Sequence, residues 1–175
     1  MKLLAFAASS SRQSINKQLV TYATQQLSNV DVEMLDLNDY EMPLYSIDKE
    51  QEQGIPDHAH RFYKKIGEAD ALLISFAEHN ASYTAAFKNL YDWTSRIDAK
   101  VYQNKPMVML ATSPGPGGAK NVLATATTSA PYFGGELKGS LSIASFFDHF
   151  DVEKQELRNE EKKQELMNVL NSLMR

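Results

Sequence analysis

Three short runs in this chain are apolar at almost every position: Leu3–Ala7, Ala71–Phe76 and Pro106–Ala111. A strand with one face in water alternates apolar and polar residues, whereas a strand covered on both faces does not. Runs of this length and kind therefore call for a parallel sheet with helices packed on each side. The intervening segments supply the helices. Leu19, Val20, Ala23 and Leu27 fall on one helical face, as do Ala59, Phe62, Tyr63 and Ile66. Phe87, Leu90, Tyr91 and Thr94 form a third stripe within a helix over Thr84–Arg96.

The remaining segments complete the pattern. Val30–Leu37 alternates and reads as a strand. Asn38–Ile55 holds Pro43 and Gly54, lacks a period, and reads as a long loop, a kind of segment that often carries function. Pro56 suits the first turn of a helix. Gly118–Ala130 reads as a helix of small residues and Leu141–Ser145 as the last strand. Asn159 can cap a final helix with Glu160 and Glu161 in its first turn and Leu166, Val169, Leu170 and Leu173 as its buried stripe. Strand and helix thus alternate through five strands. The expected class is α/β, a flavodoxin-like three-layer sandwich whose parallel sheet has the order 2-1-3-4-5. At 175 residues, the chain is expected to form one domain over residues 1–175.

Composition narrows the function. The net charge of −4, without a Lys/Arg cluster, argues against a nucleic-acid partner. The absence of cysteine excludes disulfides, thiolate nucleophiles and Cys-based metal sites. No apolar run reaches membrane-spanning length, and Met1–Ala8 is too short for a signal peptide, so the expectation is a cytoplasmic protein without a membrane partner.

In this fold class ligands bind beyond the carboxyl ends of the strands, which directs attention to three loops. The first runs from Ala8 to Asn16 into a helix start, where free amides and the positive dipole end favour an anion. Ser9, Ser10, Ser11 and Ser14 add hydroxyls, Asn16 an amide and Arg12 a positive charge. A phosphate monoester suits such a cup. A pyrophosphate usually needs glycines, and neither G-x-G-x-x-G nor G-x-x-x-x-G-K-[ST] occurs. The plainer alternative is that Ser14 only caps the helix and the other serines are solvated. In the second loop, His79, Asn80 and Ser82 follow a strand end, where Asn80 and Ser82 can meet the edge of a heteroaromatic ring. The alternative is a turn at Asn80 with Ser82 or Thr84 as helix cap. The third, Thr112–Lys120, is glycine-rich, which permits close backbone approach or simply makes a turn. One phosphate cup beside two loops with exposed amides suits a flat heterocycle with a phosphate tail, a description that flavin mononucleotide (FMN) matches.

The same residues resemble the NAD(P)H-dependent FMN reductase family, a flavodoxin-like group that includes quinone, chromate and azo-dye reductases. Its first loop reads G-S-x-R-x-x-S-x-N; Ser9, Ser14 and Asn16 match, Ala8 replaces the glycine, Ser11 stands at the arginine position and Arg12 follows it. Its second motif reads P-E-Y-N-x-S and then K-N-x-x-D-W. Glu78, Asn80, Ser82, Lys88, Asn89, Asp92 and Trp93 match at the same spacing, with Ala77 for the proline and a protonatable His79 for the tyrosine. The third matches at Ser113, Pro114 and Gly115 and at Gly117 and Gly118.

The resemblance implies FMN as cofactor and NAD(P)H as hydride donor. It implies that Ser9, Ser11, Arg12, Ser14, Ile15 and Asn16 hold the phosphate. Glu78, His79, Asn80 and Ser82 would then line the isoalloxazine ring, and Ser113, Pro114 and Gly115 would approach its pyrimidine side. It further implies a ping-pong order, a small-molecule electron acceptor (quinone, azo, nitro or flavin), a homodimer or homotetramer, and no catalytic side chain or metal ligand. Two other functions fit the same fold: an electron carrier served by a protein partner, for which −4 is a weak acidic face, and a binding module without flavin. A serine hydrolase is disfavoured, because no G-x-S-x-G elbow occurs. His58 and His60 lie two apart at a helix start, where they diverge, and read as surface residues.

Overall fold

The computed structural model describes residues 1–174. Its main sheet comprises β1 (Lys2–Ala8), β2 (Asp31–Leu35), β3 (Ala71–Phe76), β4 (Lys105–Thr112) and β5 (Gly135–Ile143). All pairings are parallel, in the order β2-β1-β3-β4-β5 expected from the sequence. The helices are α1 (Ile15–Gln25), α2 (Ile47–Gln53), α3 (Asp57–Glu68), α4 (Ala85–Thr94), α5 (Lys120–Ser129), α6 (Phe146–His149) and α7 (Glu160–Asn171). A two-stranded antiparallel hairpin, β6 (Phe150–Asp151) with β7 (Glu156–Leu157), stands between α6 and α7.

The fully apolar strands serve two cores at once. Leu3 and Ala5 of β1 pack with Leu19, Val20 and Ala23 of α1 and with Leu166 and Leu170 of α7. Their neighbours Leu4 and Phe6 pack into the opposite layer with Phe62 and Ile66 of α3 and Phe87 and Leu90 of α4. Side chains alternate across a strand, so a strand between two helical layers needs an apolar residue at each position. Each fully buried Leu or Phe contributes roughly 1.5–3 kcal/mol relative to exposure.

Three expectations change. The last strand begins at Gly135, well before Leu141, and ends at Ile143. β5 is an edge strand with an irregular register opposite Met107/Val108, and its half-exposed alternation hid it. A side chain at Gly139 would press on Val169 of α7, at 3.2 Å from its Cγ1. The segment Asn38–Ile55 is only partly loop. A 3₁₀ turn covers Leu37–Tyr40, and α2 is capped by Ser46 and stopped by Gly54 at φ +75°. α2 buries none of its residues, so no apolar stripe announces it. The helix placed at Gly118 starts at Lys120, because Gly118 and Ala119 are left-handed at φ +61° and +56°.

β1 lies between β2 and β3, and the direction of winding reverses between β1 and β3. The loops that leave β1, β3 and β4 therefore gather on one edge of the sheet, at the switch point where this fold class binds its ligands.

Candidate functional site

The first loop curls back on itself. The Ser11 amide donates to Ser9 Oγ at 3.2 Å, and the Ser14 amide donates to Ser11 O at 3.3 Å. Ser9 and Ser14 are buried, whereas Ser10, Ser11, Arg12 and Gln13 are exposed. Ser14 Oγ caps α1 by accepting from the Lys17 amide at 3.2 Å. Among the described residues nothing accepts from the amides of Ile15 and Asn16, and both serine hydroxyls keep a hydrogen to donate. Capping and anion binding are therefore compatible here. Arg12 has no ion pair among the described residues, while Lys17 is held by Asp36 at 2.6 Å. The Lys17 ammonium, with the Asn38 amide, holds the Asp36 carboxyl below its usual value.

Asn16 departs from expectation. Its side chain is turned inward and is 2% exposed. Oδ1 accepts from the Thr112 amide at 3.0 Å and from the Ser75 hydroxyl at 2.8 Å, and Nδ2 donates to Thr112 O at 3.1 Å. The amide group ties the start of α1 to the ends of β3 and β4, and only the main-chain N–H of Asn16 faces the helix mouth as a free donor. The sequence carried one signal for this clip: Ser75 is the lone polar residue in an otherwise apolar strand.

The second loop is a tight turn. His79 and Ser82 exchange main-chain hydrogen bonds of 3.0 and 3.1 Å, and the two residues between them are left-handed, Asn80 at φ +52° and Ala81 at φ +62°. Two positive φ values mark a type I′ turn. Asn tolerates that conformation, but Ala is strained in it. The amides of Asn80 and Ala81 have no acceptor among the described residues. Thr84, not Ser82, caps α4, accepting from the Phe87 amide at 3.2 Å while its hydroxyl donates to Ala8 O at 3.0 Å. The turn thus rests against the end of β1. Beneath it Tyr83 packs on Phe76 and Phe87, and burial pushes its phenol up from the ordinary value. His79, Asn80 and Ser82 are all exposed at the sheet edge. Glu78 is directed elsewhere: Oε2 accepts from the Val122 amide of α5 at 2.8 Å, with Oε1 3.4 Å from Asn121 Nδ2.

In the third loop Ser113 Oγ donates to Gly115 O at 3.1 Å, and the Ser145 amide donates to the same oxygen at 2.9 Å. The open faces of Gly115 and Gly117 have nothing within 4 Å of a would-be Cβ. Gly118 is different, since a Cβ there would lie 2.5 Å from Ser142 Oγ, which instead donates to Gly118 O. Pro114, Pro116 and Gly117 are exposed.

The K-N-x-x-D-W residues lie on α4, away from these loops. Asn89 Oδ1 accepts from the Tyr45 amide at 2.8 Å, Asn89 Nδ2 donates to Met42 O and Pro43 O, and the Trp93 indole N–H donates to Pro43 O at 2.7 Å. Lys88 pairs with Asp92 on the outer side. The motif straps residues 42–45 across the molecule. A groove of about 380 Å³ opens between that strap, Ser10 of the first loop and the first turn of α4, lined by Leu37, Tyr40, Met42 and Ala86.

Comparison with known proteins agrees with this arrangement. The family model for NADPH-dependent FMN reductases matches residues 1–158. A 2-hydroxy-1,4-benzoquinone reductase from Burkholderia sp. is 34% identical over 117 residues, 66% of this chain and 62% of that protein. A quinone reductase of Escherichia coli K12 is 35% identical over 81 residues, 46% of this chain and 43% of that protein. The matches therefore span less than two thirds of the length of these two relatives. Among solved structures, the flavoenzyme NAD(P)H:(acceptor) oxidoreductase FerB of Paracoccus denitrificans superposes with a TM-score of 0.77 at 21% identity, covering 98% of this chain and 94% of that one, a likeness of fold. With a matching model across most of its length and that family's loops on one sheet edge, the chain belongs to the NADPH-dependent FMN reductase family.

Proposed function

We propose that this chain is an NAD(P)H-dependent FMN oxidoreductase that reduces small-molecule acceptors, and that residues 1–175 act as one flavin-binding domain. The observation that carries the reading is the gathering on one sheet edge of two sets of free donors, the Ile15 and Asn16 amides with the Ser9 and Ser14 hydroxyls and the Asn80 and Ala81 amides, beside the open loop at 113–118. The fit to FMN is chemical. A helix start with hydroxyls suits a phosphate dianion, and a backbone turn with unpaired amides suits the polar edge of a flat ring.

In this reading Ser9, Ser14, Ile15 and Asn16 hold the phosphate, the last two through main-chain N–H, while Ser11 and Arg12 close over it and Arg12 offsets its charge. His79, Asn80 and Ser82 border the ring, and Ser113, Pro114 and Gly115 approach its other side. When bound, FMN would supply the redox chemistry between NAD(P)H and the acceptor. The Asn80 and Ala81 amides stabilise negative charge that develops on the ring. In this reading no side chain acts as nucleophile or base. Quinones are the first acceptors to try, followed by azo, nitro and free-flavin acceptors. By resemblance to the family we further propose a homodimer or homotetramer, and we place the protein in the cytoplasm.

The experiment is an absorbance spectrum of the purified protein before and after excess FMN and desalting. Flavin bands that stay with the protein and bleach with NADPH under nitrogen are expected. A colourless protein that releases all added FMN sinks the reading.

A further inference from the structure

Among the described residues four helices are capped by their own preceding residue: Ser14 for α1, Ser46 for α2, Thr84 for α4 and Asn159 for α7. α3, α5 and α6 are not, and α5 alone borrows a carboxylate from another loop for its first-turn amide. Its cap position holds Ala119 in the left-handed conformation, without a side-chain acceptor. The missing acceptor comes from Glu78, across the sheet edge, whose carboxylate takes the Val122 amide at 2.8 Å. A carboxylate at a helix N-terminus is favoured by hydrogen bond and dipole together. The parallel ladder fixes β3 against β4 as far as Phe76 and Ala111. Beyond that point the two loops diverge, and Glu78 bridges them one residue before the His79–Ser82 turn.

We propose that Glu78 is a positioning residue for flavin binding: by capping α5 it sets the spacing between the 79–82 turn and the 113–118 loop, and it does not itself line the ring. The proposal rests on the flavin reading above. The strained Ala81 belongs to the same argument, because a turn that costs free energy keeps its shape only where its surroundings hold it.

The test uses Glu78→Ala, Glu78→Gln and Glu78→Asp. Dissociation constants are measured for FMN and for riboflavin, which has the ring but no phosphate, and amide exchange at Val122 is followed in flavin-free protein. Glu78→Ala should weaken both ligands by the same factor, about tenfold or more, and speed Val122 exchange by at least about tenfold. Glu78→Gln keeps an acceptor oxygen and should stay within about threefold of the unmodified protein. Glu78→Asp, one methylene short, should behave like the alanine variant and serves in its place if that variant fails to fold.

Riboflavin binding that is unchanged while Val122 exchange accelerates overturns the proposal, since the cap would then be structural only. A glutamine variant as weak as the alanine variant also overturns it, because charge rather than spacing would be at work. Unmodified protein that binds neither flavin removes the flavin reading and this proposal with it, while Val122 exchange still reports whether Glu78 caps α5.

Discussion

Replacing Asn16 by Ala should damage this protein more than replacing any of its loop serines. Among the described residues Asn16 is the one side chain bonded to both main-chain groups of Thr112, and Thr112 is 1% exposed. Removing the amide takes the side-chain partner from a buried N–H and a buried C=O at the end of β4, at about 0.5–1.5 kcal/mol each. The Ser75 hydroxyl, 0% exposed, also loses its acceptor but can rotate toward another. The expected loss is therefore roughly 1–3 kcal/mol, a sizeable share of the 5–15 kcal/mol typical of a domain. For a chain of this size that lowers Tm by about 5 °C.

Urea unfolding of the unmodified protein, Asn16→Ala, Ser75→Ala and the double variant gives both the loss and the coupling. Because the two side chains share a bond, their losses should fall short of additivity by at least about 0.5 kcal/mol. Asn16→Asp should be no better than Ala, since a carboxylate cannot donate to Thr112 O and brings a buried charge. A loss below about 1 kcal/mol for Asn16→Ala, or strict additivity with Ser75→Ala, would refute the clip.

Four further outcomes are expected. Ser9→Ala should weaken FMN binding by about tenfold, as one hydrogen bond to a charged group is worth about 1.5–3 kcal/mol, and should leave riboflavin binding unchanged; equilibrium dialysis reads both. Ala81→Gly should stabilise the chain by about 0.5–1 kcal/mol in urea unfolding, because glycine accepts φ +62° without the Cβ clash, less its own entropy cost; a destabilised variant would show that the turn is not left-handed. Trp93→Phe removes the indole bond to Pro43 O and should cost about 1 kcal/mol, with faster proteolysis confined to residues 42–45. The carboxyls of Glu33, bonded by Lys65, and Asp36, bonded by Lys17, ionise at lower pH when folded than when unfolded. Their contribution to stability is complete above the ordinary carboxylate range near about 4 and disappears as pH falls below it through the folded values; Lys17→Met and Lys65→Met should flatten that decline in acid unfolding curves.

Much of the site was legible from residue types alone. The Ser9, Ser14 and Asn80 positions stand at the sheet edge because the strand pattern put the loops there. What escaped is what depends on partners distant in sequence. Asn16 looked like a phosphate donor because it sits at a helix start, yet its amide bonds to Thr112, far along the chain. The family motif implies that Glu78 lines the ring, yet its carboxylate bonds to α5. Asn89 and Trp93 fitted a family motif, but their sequence carried no sign that they fasten residues 42–45.

Local pattern decided the architecture by itself. Three unbroken apolar strands between amphipathic helices call for a two-sided parallel sheet, and with two alternating strands beside them the chain accepts the order found. A polar side chain is different, because it is satisfied by whichever donor or acceptor the folded chain brings within about 3 Å. No window of sequence contains that information. The tertiary structure alone determined which loop residues remain free to meet a ligand and which are held by the protein.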